Sequence, residues 1–336
     1  MSAKILSIIV PTYNMEKYLA YCMDSFLIDK NRDKLEVLIV NDGSKDQSLS
    51  IAQNYAKRYA DLFKIVDKKN GNYGSCINAA LPLVSGKYVK VVDADDSVDT
   101  VHLDEFISFL LEHDVDLALS DFVLVDEDRK TIKEIIYQFG GEVFPMKEVC
   151  VSNRFKDMEM HAVAYRTDLL LKSGYHQTEG ISYTDQQWIF APMAEIKSVG
   201  VFNKTVYKYL VGRAGQTIDP IVKIKKMADR TNFVLDMIKE YDRLSKSVCP
   251  EIKSYLDARI VPNVKDVYVT YFSNSSKIEK HLMSDFDLAF QKYSPVFYSS
   301  IGISNKYIKL WRTLNSSVVL EGLFCRLFSL ILRLNH

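Results

Sequence analysis

The sequence lacks the closely spaced cysteine pairs that zinc sites and disulfide frameworks need. Its five cysteines are scattered along 336 residues, and none forms a CxxC pair. We therefore expect reduced thiols in a cytoplasmic protein. No basic N-terminal segment followed by a long apolar stretch indicates a signal peptide. No run reaches the roughly 18 apolar residues of a membrane span.

Neither sign of charge is in excess, since Lys and Arg together number 43 and Asp and Glu also number 43. A protein without a net positive field is not expected to bind nucleic acid. Two common nucleotide-binding loops are absent as well. The first strand is not followed by the Gly-rich turn of a dinucleotide dehydrogenase, and no GxxxxGK[ST] phosphate loop occurs.

The first hundred residues alternate between strand-like apolar runs and segments with helical spacing. The apolar runs predict four strands, Leu6–Val10, Leu35–Val40, Phe63–Val66 and Tyr88–Val92. Between them we predict helices over Tyr18–Leu27, around Leu49–Tyr55 with Ser44 or Asp46 as its cap, and up to Leu81. Buried strands separated by helices predict an α/β protein with a doubly wound, mostly parallel sheet.

Polar residues follow three of these strands at the point where each strand ends. The three segments are Pro11–Asn14, Asn41–Ser44 and Asp93–Asp96. In doubly wound sheets, ligands bind beyond the carboxyl ends of the strands. The carboxylates of Asp93–Asp96 suit Mg²⁺ or Mn²⁺, which prefer oxygen ligands. A solvated acidic turn is the alternative interpretation of that segment.

The order and spacing of four motifs resemble those of family 2 glycosyltransferases, which are nucleotide-sugar enzymes with a GT-A fold. The motifs are Ser7–Asn14, Val40–Ser44, Asn70–Asn78 and Gly86–Asp96. They cover about the first hundred residues. The resemblance implies a GT-A catalytic domain, which we place at residues 1–220. Residues 221–336 have helical spacing and predict a mostly helical C-terminal region.

The same resemblance implies roles for residues of the first three motifs. Asp42 would accept a hydrogen bond from N3–H of uracil, and Pro11 and Tyr13 would shape the base pocket. A turn or a helix cap is the alternative role for Asp42. The further nucleotide-sugar-binding residues that we predict in these motifs are Asn72, Gly74 and Asn78.

The segment Asp93-Ala94-Asp95-Asp96 resembles the DxD motif of the family. The resemblance implies that Asp93 contacts the ribose or the sugar, and that Asp95 binds Mn²⁺ or Mg²⁺ on the donor diphosphate. Asp96 would orient the loop or contact the donor sugar. We therefore assign all four residues, including Ala94, to the nucleotide-sugar site.

A base for the acceptor hydroxyl is expected in Tyr183–Trp188. Family members often carry an acidic residue there at the start of a helix, preceded by Glu. This chain has Thr184 in the place of that Glu and Asp185 as the acidic residue, so we predict Asp185 as the catalytic base. The alternative is an aspartate that only stabilises the helix N-terminus.

The segment Gly212–Thr217, which includes Arg213 and Gln216, follows a predicted strand, Val206–Val211. It resembles a GRxGQS-like element of bacterial relatives that lies near the donor phosphates, and both side chains suit phosphate oxygens. A surface turn is the alternative.

His161 begins another strand-like stretch. It could line the acceptor site or assist a metal, but a lone histidine is more often structural.

The last residues are apolar and basic. Ser317–Asn335 contains eleven large apolar side chains, interrupted by Arg326 and Arg333. Such a helix can lie on a bilayer surface, so residues 315–336 could contact the membrane peripherally. Burial in the same chain or in a homo-oligomer interface is the equal alternative.

These features together predict an inverting, metal-dependent glycosyltransferase. It would move a sugar from a UDP-sugar to a hydroxyl of a glycan or lipid-linked glycan acceptor in bacterial surface polysaccharide synthesis, in the cytoplasm or on the inner face of the plasma membrane. Two alternatives stay open. A nucleotidyltransferase-like enzyme would release pyrophosphate, and a non-catalytic scaffold would bind nucleotide sugars without turnover.

Overall fold

The computed structural model describes residues 3–181, 184–213 and 220–334. The chain divides into two compact units, Met1–Gln216 and Thr217–His336. In the described part of the chain, no helix combines the length and hydropathy that crossing a bilayer requires.

The first unit is built on one sheet whose order is β3-β2-β1-β4-β9-β6-β10-β5, with β7 beside β6 and β8 beside β10. The strands are β1 Leu6–Thr12, β2 Leu35–Asp42, β3 Phe63–Lys68, β4 Tyr88–Val91, β5 Ser97–Val98, β6 Leu117–Val125, β7 Thr131–Ile135, β8 Val143–Pro145, β9 Val163–Arg166 and β10 Ser198–Leu210.

The sheet is mostly parallel, which confirms the predicted fold class. The longer registers, β1 with β2, β2 with β3, and β6 with β10, are parallel. Strand β9 runs antiparallel to both β4 and β6. Every residue of β1 and β2 is buried, because helices and loops cover both faces of a parallel sheet. Two-sided burial is the reason these strands appear in the sequence as continuous apolar runs.

Eight helices of the first unit lie among the described residues. They are α1 Leu19–Asp24, α2 Ser48–Arg58, α3 Asn72–Ala80, α4 Thr100–Glu112, α5 Met146–Val149, α6 Asn153–Lys156, α7 Thr167–Ser173 and α8 Asp185–Trp188. Helix α1 is shorter than the predicted Tyr18–Leu27. The N-cap residue of α2 is Gln47 rather than the predicted Ser44 or Asp46. Asp46 accepts a hydrogen bond from the backbone N–H of Ser48 at 3.0 Å, and Ser44 accepts one from Asn14 N at 3.1 Å.

The described part of the second unit is helical throughout, as the sequence predicted. The helices are α9 Pro220–Lys225, α10 Met227–Leu244, α11 Pro250–Asn274, α12 Lys280–Tyr293, α13 Pro295–Ser304, α14 Lys306–Leu314 and α15 Val318–Leu334. A buried carboxylate links several of them. Asp287 on α12 accepts hydrogen bonds from Tyr268, from Tyr298 at 2.8 Å and from Arg312 at 2.9 Å.

Candidate active site

The sheet order brings the three polar clusters to one edge of the first unit. Strand β1 lies between β2 and β4 and is parallel to both. The carboxyl ends of these strands therefore point the same way, and Asp42 at the end of β2 and Asp93 after β4 belong to the same edge. The strand order therefore brings the three polar clusters to the same edge of the sheet.

Two of the three carboxylates after β4 are held by hydrogen bonds from tyrosines and the backbone. Tyr73 Oη donates to Asp93 Oδ1 at 2.8 Å. Asp96 is fully buried and accepts from Tyr207 Oη at 2.5 Å and from the backbone N–H of Leu210 at 2.7 Å. These bonds fix two carboxylates of the predicted DxD segment in place.

Burial and crowding of negative charge raise the pKa values of two carboxyl groups in this cluster. Burial, followed by the charge of Asp95, raises the pKa of Asp93 to about 6. Burial and the charges of Asp95 and Asp93 also raise the pKa of Asp96 well above its ordinary value. Each raised pKa means that burial and the neighbouring negative charges together make the ionised carboxylate unfavourable here. A bound cation would remove that cost.

His161 completes a group of side chains with the geometry of a cation site. Asp93, Asp96 and His161 each offer one ligand atom, and these atoms lie within 4.8 Å of one another. The His161 ring stacks on Tyr209 with centroids 4.4 Å apart. Buried Lys90 donates to the carbonyl of His161 at 2.5 Å and fixes the backbone there. Carboxylate oxygens and imidazole nitrogen fit Mn²⁺ or a similar divalent cation.

From the sequence, we did not assign His161 a catalytic role, because a lone histidine is more often structural. We expected it to begin a strand, but it lies in a short 3-10 helix, Met160–Ala162, immediately before β9. Because β9 pairs with β4, this residue reaches the DxD cluster from a segment almost seventy positions away in the sequence.

Two arginines contact Asp95. The carboxylate of Asp95 forms an ion pair with Arg213 Nε. Arg129 Nη1 donates to the backbone carbonyl of Asp95 at 3.1 Å. Arg129 has a left-handed backbone, φ 63°, in the turn between β6 and β7. The predicted phosphate-binding Arg213 therefore lies at the DxD segment, whereas Gln216 lies outside the described residues.

Asp42 is buried and tied to the turn that precedes α3. Its Oδ1 accepts from the backbone N–H of Gly71 at 2.9 Å and from Lys68 Nζ at 2.7 Å. Asn72 follows with φ 65° and opens the helix. Of the residues predicted to shape a base pocket, Pro11 is buried in β1 and Tyr13 is 45% exposed just beyond it.

The structure gives Asn78 and Gly74 neighbours from the protein itself. Asn78 Nδ2 donates to the carbonyl of Gln177 at 2.8 Å and to Glu179 Oε1 at 2.8 Å, and its Oδ1 accepts from Gln177 N at 2.9 Å. A Cβ on Gly74 would lie 2.1 Å from the carbonyl oxygen of Thr178. Both residues hold the loop around Gln177 against α3. A direct contact with the donor stays a prediction.

We expect Gly74→Ala to lower activity by displacing this loop rather than by blocking a ligand. The new methyl group would overlap a backbone oxygen, and backbone atoms cannot rotate away as a side chain can. Activity should fall at least about tenfold, with a lower melting temperature. Gly140→Ala is a matched control for added volume, because nothing lies within 4 Å of the Cβ that it would add and its φ is outside the left-handed region. Equal melting temperatures for Gly74→Ala and the parent protein would contradict the expectation.

Asp185 is the first residue of α8 and follows the same loop. Gln177 Nε2 donates to the carbonyl and to the hydroxyl of Thr184, at 2.6 Å and 3.0 Å, which fixes the entry to the helix. Burial dominates the raised pKa of Tyr73, and the charges of Asp93 and Asp185 both add to it. Asp185 also contributes to the raised pKa of Asp93, after burial and Asp95. The carboxylate of Asp185 is therefore within electrostatic range of the DxD cluster.

Comparison with known proteins gives the same family as the motifs. Residues 7–162 match the family described as Glycosyl transferase family 2. EpsJ of Bacillus subtilis, described as an uncharacterized glycosyltransferase, is 34% identical over 127 residues, which are 38% of this chain and 36% of EpsJ. YibD of Escherichia coli, also described as an uncharacterized glycosyltransferase, is 29% identical over 215 residues, 62% of each protein.

The fold matches a solved structure over nearly the whole chain. The crystal structure of S. aureus TarS 1–349 in complex with UDP-GlcNAc has a TM-score of 0.66 at 19% identity and covers 99% of this chain and 92% of that one. This likeness concerns the GT-A fold. The chain spans between 36% and 62% of the length of the two curated relatives above. The match over residues 7–162, together with the motifs that lie within it, identifies a glycosyltransferase family 2 region in the first unit.

Proposed function

We propose that the protein transfers a sugar from a UDP-sugar to an acceptor hydroxyl with inversion at the anomeric carbon. The observation that carries the proposal is that Asp185 opens α8, whose Trp188 packs on Tyr165 of β9 with ring centroids 5.2 Å apart, and that β9 pairs with β4, the strand that precedes Asp93. Asp42 lies at the same edge of the sheet. A base, a carboxylate cluster and a uracil-binding carboxylate would then serve one site.

Support for the donor and the acceptor comes from TarS. Its fold is shared, and it was crystallised with UDP-GlcNAc. TarS is named a poly(ribitol-phosphate) beta-N-acetylglucosaminyltransferase, and it is 27% identical to this chain over 212 residues. We propose a UDP-sugar as donor and a hydroxyl of a surface glycan, polymer or lipid-linked glycan as acceptor.

The reaction is a single in-line displacement. The acceptor oxygen attacks the anomeric carbon while the bond from that carbon to the diphosphate oxygen breaks, so that UDP leaves with the bonding electron pair. Asp185 takes the proton of the attacking hydroxyl. Arg213 and Arg129, which contact Asp95, would bind the negative charge of the diphosphate.

A divalent cation fits the carboxylate cluster. Asp93, Asp96 and His161 offer ligand atoms close together, and Asp95 is the residue that the DxD resemblance assigns to the metal. We propose that these four side chains hold Mn²⁺ or Mg²⁺. Such a cation, when bound, neutralises charge that develops on the leaving diphosphate.

Calorimetric titration with UDP tests the nucleotide site. We expect UDP to bind in the presence of Mn²⁺, and CDP, whose base has no N3–H, to bind at least about tenfold more weakly. Asp42→Asn should weaken UDP binding about tenfold to a hundredfold, because a hydrogen bond to a buried carboxylate is lost.

Asp67→Asn is the matched control, because Asp67 is an exposed aspartate on the neighbouring strand β3 that accepts a hydrogen bond from Asn41. Its affinity for UDP should equal that of the parent protein. Unchanged UDP affinity in Asp42→Asn, with its melting temperature preserved, would contradict the assigned role.

A further inference from the structure

The last described helix, α15, has one face packed against its own unit. Phe324 and Phe328 are buried, and their rings lie 5.0 Å and 5.2 Å from the ring of Phe272 on α11. Glu321 is also on this face. Aromatic contacts of Phe324 and Phe328 with α11 therefore anchor the helix, and its opposite face is exposed.

The opposite face of α15 carries large apolar side chains that are exposed. Val319, Leu323, Leu327 and Leu330, which we call the exposed stripe, are between 51% and 71% exposed. Their spacings of three and four residues place them along one side of a helix with 3.6 residues per turn. Four neighbouring exposed apolar side chains on one helix indicate a surface that another body covers.

The exposed charged side chains on α14 and on the described part of α15 are all positive. Glu321 is the one acidic residue after position 294 in the sequence. It is buried, where it accepts hydrogen bonds from Tyr271 and Trp311 and pairs with Lys280. The exposed charged side chains of α14 and of the described part of α15 are Lys306, Lys309 and Arg326.

We propose that the exposed stripe and these basic residues dock on an anionic lipid surface. An apolar helix face enters the boundary between headgroups and acyl chains, while flanking Lys and Arg bind lipid phosphates. The charge complementarity favours lipid over a second copy of this chain. Arg326 is the middle residue of α15, so a twofold antiparallel pairing along the helix would bring two Arg326 side chains together without an exposed carboxylate.

The proposal concerns a surface of the helical unit and does not depend on the sugar-transfer reaction. It would place the enzyme beside a lipid-linked acceptor. Loss of lipid binding would leave UDP binding intact, and loss of UDP binding would leave lipid binding intact, so failure of either proposal can be recognised separately.

Vesicle co-sedimentation of the full chain tests the docking surface. We expect binding to vesicles of phosphatidylglycerol and phosphatidylcholine in equal parts, and little binding to phosphatidylcholine alone. The triple variant Leu323→Gln/Leu327→Gln/Leu330→Gln should bind more than about a hundredfold more weakly, because three apolar side chains no longer enter the bilayer. Arg326→Glu should weaken binding to the anionic vesicles roughly fivefold or more. Raised salt should also weaken this binding, because it screens the charges.

Leu288→Gln is the matched control for the leucine changes, because Leu288 is 64% exposed on α12, away from the stripe. Lys292→Glu on the same helix is the control for charge reversal, and both should bind vesicles as the parent protein does. All changed side chains are exposed, so the variants should keep the parent melting temperature. Failure of the folded parent protein to bind anionic vesicles would overturn the proposal. A concentration-dependent dimer that the triple leucine variant abolishes would overturn it too, because the stripe would then join two copies.

Discussion

Asp185→Asn is expected to reduce sugar transfer by about a thousandfold while UDP binding stays within about twofold of the parent protein. A positioned general base typically contributes 10² to 10⁴ in rate, and an amide of the same shape cannot accept the hydroxyl proton. The uracil and diphosphate contacts assigned to Asp42, Arg213 and Arg129 do not involve this side chain. Initial transfer rates at saturating donor and calorimetric UDP affinities measure the two effects separately.

Asp168→Asn provides the control that separates catalysis from helix stabilisation. Asp168 lies in the first turn of α7, as Asp185 does in α8, and it pairs with Lys172 on the surface. If Asp185 only stabilised its helix N-terminus, both variants would lose a similar, small amount of stability and activity. Comparable transfer rates for Asp185→Asn and Asp168→Asn would contradict the assignment of a base.

The second large effect is expected at Asp95. Asp95→Ala should lower donor turnover by about a hundredfold to a thousandfold, because it removes a carboxylate from the proposed cation site and leaves Arg213 without its ion-pair partner. Turnover by the parent protein in EDTA should fall by a similar factor and recover on addition of Mn²⁺. Rates with and without EDTA, measured for both proteins, give the comparison.

Asp99→Asn serves as the control, because Asp99 is close in sequence but caps α4 through the backbone N–H of His102 at 3.1 Å. Asparagine caps a helix as well as aspartate does. This variant should remain active and metal-dependent. Undiminished turnover by the parent protein in EDTA would rule out the proposed cation.

Continuous apolar runs made β1 to β4 predictable from the sequence. Most residues of strands buried on both faces are apolar whichever way they point, and the polar residues after each strand then mark the edge of the sheet where ligands bind. The position of the DxD segment followed from the same argument. These inferences needed only local sequence and the rule that neighbouring parallel strands share an edge.

Contacts distant in sequence were not predictable in this way. Arg129 reaches the carbonyl of Asp95 from a turn whose sequence resembles any polar turn, and only the folded chain shows its left-handed backbone. His161 joins Asp93 and Asp96 because β9 pairs with β4, a pairing that no local pattern encodes. Asn78 and Gly74 were expected near the donor from a motif, whereas their closest described neighbours are loop residues Gln177 and Thr178.

For Asp185 and for the exposed stripe, the local sequence predicts a helix but not which groups the helix contacts. The sequence places Asp185 at a helix start, but its approach to the DxD cluster depends on the loop that Gln177 holds. The apolar spacing of α15 predicts an amphipathic helix and leaves open which face is buried. The contacts of Phe324 and Phe328 with Phe272 decide that question and leave the leucines outside.

The most direct test of the central claim is nucleotide release from a panel of UDP-sugars, each incubated with the protein and Mn²⁺. We predict slow release of UDP, without pyrophosphate, from one donor of the panel, and loss of that release in EDTA and in Asp95→Ala. Release of pyrophosphate would instead indicate a nucleotidyltransferase. Absence of UDP release from every donor, together with absence of UDP binding by calorimetry, would contradict the account of a UDP-sugar-dependent glycosyltransferase.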